Sequence, residues 1–173
     1  MTELYERIAK RIAVLSEDPD GTLKGAGILP AKLPMELEAA PVKLANLVID
    51  QDWGQLEALV QGLDQYPVTF PCVLVGFPEI TWENMAGETV QKGQLMLRTV
   101  LAFDVWEDTR LSAGREAAVG ERWAAAKALN GLLHGKDFRE IGVERLVRTQ
   151  SRQYALPGGI AVYETTYRAT VWE

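Results

Sequence analysis

This chain of 173 residues has one cysteine, one histidine and a shortage of positive charge, and each scarcity removes a class of function. Cys72 has no second cysteine to pair with, so the chain has no intramolecular disulfide framework and fits a reducing cytoplasm. His134 and Cys72 cannot make a His/Cys cluster, so no metal or other cofactor is expected. Lysine and arginine number 18 against 24 acidic residues, a net charge of −6, and the cations are scattered. Binding nucleic acid needs clustered cations to neutralise phosphates, so sequence-specific reading of DNA or RNA is not expected. The longest apolar runs, 39–49 and 71–77, are interrupted or too short to cross a bilayer. Glu3, Glu6, Arg7, Lys10 and Arg11 occupy the place where a signal peptide would need an apolar core. Neither export by that route nor a membrane partner is expected.

Apolar residues are nonetheless plentiful enough, at 47%, for one domain with its own core. Leu4, Ile8, Ile12 and Leu15 recur at helical spacing and predict a helix over 2–16, with Thr2 as N-cap. The run Asp18-Pro19-Asp20-Gly21 reads as its stop. Residues 17–66 read as a variable arm or insertion, rich in proline and glycine at first. It ends in a short helix over 53–63 capped by Asp52. Residues 68–173 read as a hairpin–helix–hairpin core. Cys72 to Phe77 is a compact strand, and Glu83 to Gly93 a polar loop. A long strand follows, with Leu95, Leu97, Thr99, Leu101, Phe103 and Val105 on one face. Its other face is only partly polar, which predicts a central position. An alanine-rich helix over 112–134 ends before Gly135, a residue suited to the left-handed C-cap. Strands over 143–154 and 160–172 flank the turn Leu156-Pro157-Gly158-Gly159. The expected fold is α+β: a four-stranded, mostly antiparallel sheet of two hairpins, with both helices on one face.

Catalytic motifs are wanting, and the chain does not read as an enzyme. His134 at a helix end suits a capping role near the negative end of the dipole. Cys72, inside an apolar run, reads as a small buried hydrophobe. The stretch Gly21 to Gly27 lacks the G-K-[ST] ending of a phosphate loop. Asp18, Asp20, Asp50 and Asp52 give only a fragment of a calcium-loop pattern and read as loop and cap residues. Surface chemistry suited to assembly remains. Trp106 and Trp172 end strands on the less apolar face, and Trp82 adjoins the polar loop. The candidate interface residues are Trp82, Glu83, Asn84, Glu88 and Gln91 at the first hairpin, Trp106, Pro157 and Gly158 at the second turn, and Trp172. Large rings also close the edges of a core, which is the competing reading for each tryptophan.

The layout resembles the tail terminator, or tail completion, proteins of tailed bacteriophages and prophages. The residues that carry the likeness are Pro71 to Val75, a polar loop, and a strand ending Leu101-Ala102-Phe103-Asp104-Val105-Trp106. The helix with Ala128 to Leu133, the strand with Arg148 to Arg152 and the strand Tyr163 to Val171 complete it. The resemblance implies a homo-oligomer, typically a hexameric ring, that caps the tail tube and docks it to head-completion proteins. Its partners would be the tail-tube protein and a head-completion protein, and its location the virion tail after assembly in the bacterial cytoplasm. No catalytic residues carry over. Another neck, connector or baseplate component would share the subunit plan. A different class, a small-molecule-binding or enzymatic α+β domain, would use a pocket between the long helix and the sheet. Arg98 and Arg168 are its starting points.

Overall fold

The fold is described from a computed structural model, over residues 1–29, 40–63, 68–85, 89–105 and 116–173. Helix α1 (Thr2–Ile12) buries Leu4, Tyr5, Ile8, Ala9 and Ile12, the stripe that helical spacing predicts. A 3₁₀ turn (Ala13–Leu15) continues it. The Asp-Pro-Asp-Gly run then starts a helix, α2 (Pro19–Gly25), where the sequence predicts a stop. Asp18 Oδ1 accepts the Gly21 N–H at 3.0 Å, and proline tolerates the first turn because its missing N–H is not needed there.

Five strands form one mixed sheet, not four antiparallel ones. In chain order they are β1 (Val48–Gln51), β2 (Cys72–Asn84), β3 (Gln91–Asp104), β4 (Val147–Leu156) and β5 (Ile160–Trp172). The spatial order is β1-β2-β3-β5-β4, with β1 parallel to β2 and every other pair antiparallel. The additional strand, β1, comes from the segment read as an arm. With α2 it joins the main core through Leu23, Leu47 and Ile49. The two expected hairpins, β2–β3 and β4–β5, are present, and β3 is central.

Helices α1 and α4 (Glu116–Leu133) pack on one face of the sheet, over Val73, Val75, Leu95, Leu97, Leu101, Tyr163 and Tyr167. The other face is partly covered by a helix too. A short helix, α3 (Gln55–Val60), sets Leu56 on a second apolar cluster of Cys72, Leu74, Val100, Ala102, Ile160 and Val162. Gly54 holds the cap position of α3, not Asp52. Among the described residues nothing covers the opposite half of that face, where Glu79, Thr81, Gln94 and Arg168 are exposed. A bulge between Gly76 and Glu79 reverses the side-chain alternation of β2. Pro78 lies in that bulge, where its missing donor costs no ladder bond. The reversal puts Ile80 against the main core. The expected polar loop is shorter than 83–93, because β2 runs to Asn84 and β3 begins at Gln91. Likewise β4 begins at Val147, since Val143 makes only isolated bridges to Phe138 and Val171.

Candidate functional site

The predicted interface residues fall at two opposite ends of the sheet. Register places Asn84 opposite Gln91 and Lys92 opposite Trp172, so Trp82, Glu83, Asn84, Gln91 and Trp172 share one end. Asp104 pairs with Ile160, which sets the β4–β5 turn with Pro157 and Gly158 at the other end. Along strands of 13 residues the ends are about 40 Å apart. Glu88 and Trp106 lie outside the described residues, as does the expected start of the long helix at 112.

The first end is aromatic and polar. Trp82 is 38% exposed and lies over Gly93, where a Cβ would come within 2.8 Å of its ring. Trp172, 40% exposed, donates its indole N–H to Glu144 at 2.9 Å and receives the Lys92 ammonium over its ring at 5.6 Å. Both tryptophans line a shallow groove of about 230 Å³ with Leu4, Ile80 and Val171. Met85 and Val90 are exposed nearby, and Gln91 donates to Asn84 at 2.9 Å. Exposed Glu83 adds negative charge.

At the second end the backbone is the main feature. Gly158 and Gly159 both have positive φ, and Gly159 C=O accepts the Val105 N–H at 2.6 Å. A side chain at Gly159 would meet the Val105 carbonyl at 2.6 Å, so only glycine fits.

Sequence reasoning did not find a row of charges on the open face. Asp52, nearly buried, pairs with Arg98 on β3 and also accepts the Gly54 N–H at 3.2 Å. Gly76 makes room for it, since a Cβ there would lie 3.1 Å from the Asp52 Cβ. Glu164 on β5, equally buried, accepts from Arg152 on β4 and from the Tyr154 hydroxyl at 3.2 Å. Burial works against the Arg98 charge, but Asp52 overrides it and raises the guanidinium's pKa. Burial, then Glu164, raises the Tyr154 phenol. The alternation of Asp, Arg, Glu and Arg across strands is the signal that could have revealed this row. Each carboxylate is held by a guanidinium, an arrangement that joins strands electrostatically.

Other singled-out residues take structural places. The His134 Nδ1 accepts the Arg148 N–H at 3.1 Å, and Gly135 follows it with φ +79°. Cys72 is buried, and burial pushes its thiol up to about 12. Asp18 caps α2, and Asp50 accepts the Gln51 N–H. Arg168 is exposed on β5. Among the described residues no three His, Cys, Asp or Glu side chains converge, and no helix is long and apolar enough to cross a membrane.

No family model and no curated protein matches this sequence. Among solved structures, a chain in the virion of a native gene transfer agent particle aligns with a TM-score of 0.42 and 17% sequence identity. The alignment covers 70% of this chain and 91% of that one.

Proposed function

We propose that this chain is a structural protein of a phage or phage-like particle, and specifically a tail terminator. In this reading it caps the tail tube and docks it to head-completion proteins. The observation that carries the reading is the separation of two dissimilar surfaces to opposite ends of one long sheet. A terminator must hold a tube on one side and a neck on the other, which demands two different docking faces. Here an aromatic end with Trp82 and Trp172 lies opposite a glycine-rich turn at Pro157 and Gly158. The hairpin–helix–hairpin order that carries the family resemblance supports the same reading. Head-to-tail association into a ring also needs two complementary flanks. An acidic subunit suits a ring through which DNA passes, because tight phosphate contacts would retard transit.

The test is the mass of the purified chain in solution, alone and mixed with a tail-tube protein. The reading expects a ring, formed either alone or on contact with tube ends. A chain that stays monomeric and leaves tube protein unbound refutes it. Binding to a portal-side neck protein without any binding to tube would instead favour a connector.

A further inference from the structure

The two edges of the sheet are built differently. At β1 the outward-facing groups of Gln51 are taken up by side chains of the same chain. Its N–H donates to Asp50 Oδ1 at 2.7 Å, and its C=O accepts from Gln55 Nε2 at 2.5 Å. Thr22 Oγ1 likewise donates to the Leu47 carbonyl at 3.0 Å. Such capping blunts an edge against further pairing.

Strand β4 is more open, with a bulge only at its start, between Arg148 and Gln150. Every residue from Val147 to Ala155 is exposed, so neither face of the strand is covered, and among the described residues its strand partner is β5 alone. Antiparallel pairing turns alternate N–H and C=O groups away from the partner strand. His134 takes the Arg148 N–H at the start of β4. From Thr149 to Leu156, among the described residues, nothing else reaches that outer edge. The hydroxyls of Thr149 and Ser151 turn inward, to Thr166 and Thr165 of β5.

The charges at this edge say what would fit it. β4 carries Arg148 and Arg152, Arg145 precedes it, and the strand has no carboxylate. The row Asp52, Arg98, Glu164, Arg152 alternates in sign across the open face and ends at this edge on a cation. The next place in the row calls for a carboxylate. Among the described residues, neither sheet edge of a second copy of this chain fits. Its β1 edge is taken up at Leu47 and Gln51 by its own side chains, and its β4 would bring arginines toward arginines.

We propose that β4 is the docking edge for an extended, acidic segment of a different protein. That segment adds to the sheet as a further strand and sets its carboxylates beside Arg152 on the open face or beside Arg148 on the opposite one. The inference goes beyond the assembly reading, since it names an edge and the chemistry of one partner whatever the complex.

The experiment uses the full chain, isotope-labelled, with short peptides at millimolar concentration. One alternates valine with glutamate, a second carries lysine for glutamate, and a third is the glutamate peptide N-methylated at alternate amides. The glutamate peptide should slow amide exchange over 149–156 by about tenfold or more, and the other two should not. Arg148→Glu, at an exposed site, should admit the lysine peptide, with its cations on the Arg148 face, while Arg152 keeps its own face for glutamate. Three outcomes would each overturn the proposal: no slowing over 149–156, equal slowing by all three peptides, or a preference that Arg148→Glu leaves unchanged. A ring that forms and caps tubes while β4 ignores the peptides would sink this inference and leave the terminator reading standing.

Discussion

Replacing Arg98 by methionine tests whether the charge row fastens the β1–α3 segment to the sheet. The substitution keeps the aliphatic stem but leaves Asp52, whose side chain is 4% exposed, without its cation. Breaking a fully buried pair in this way costs about 3–5 kcal/mol. Arg98 itself is 34% exposed, so solvent screens part of that, and its buried Nε already lacks an acceptor. The expected loss is therefore about 2 kcal/mol. With a urea slope of about 2 kcal/mol per molar, the unfolding midpoint should fall by about 1 M. Adding Asp52→Asn to Arg98→Met removes the stranded charge while keeping an acceptor for the Gly54 N–H, so about 1 kcal/mol should return. A single substitution that costs less than about 0.5 kcal/mol, or a second one that only adds damage, would refute this reasoning.

Three further outcomes follow from the packing. The Cys72 thiol has an ordinary value of 9.0 and is raised to about 12, chiefly by burial. Its contribution to stability is thus full below about pH 9 and is lost as pH climbs toward 12, and a thiol reagent near neutral pH should label the chain only as it unfolds. Prompt labelling of the native chain would contradict this. Gly93→Ala would place a Cβ 2.7 Å from Val171 Cγ2 and 2.8 Å from Trp82, so about 1–3 kcal/mol of stability and a change in tryptophan fluorescence are expected. An unchanged emission spectrum would show that Trp82 does not lie over Gly93. Trp82→Ala with Trp172→Ala should weaken binding to a tube or neck protein by more than about tenfold, with the fold retained by circular dichroism. Unaltered binding would remove this end from the interface.

How much of this was legible depended on the length of each pattern. The six-member alternation of β3 and the helical spacing in α1 are long enough to fix both elements, and burial follows them closely. β1 has only four residues, and its parallel pairing leaves no hairpin signal in the intervening chain. Asp18-Pro19 reads as a stop in sequence because a proline that ends one helix is equally suited to begin another. The bulge at Gly76–Glu79 could not be seen in the alternation, and it decides which way Ile80 points. Of the candidate interface, the strand-end positions were legible as a set of hairpin tips. That they separate into two distant ends was not, because separation depends on register. The charge row escaped notice for a similar reason: Asp52, Arg98, Glu164 and Arg152 meet only once the sheet has formed.

The most direct measurement is electron microscopy of tail-tube protein polymerising with and without the purified chain. If the chain works by capping, tubes should stop at bounded lengths and carry extra density at one end only. Tubes of unchanged length with bare ends, from a chain that stays monomeric throughout, would contradict the account.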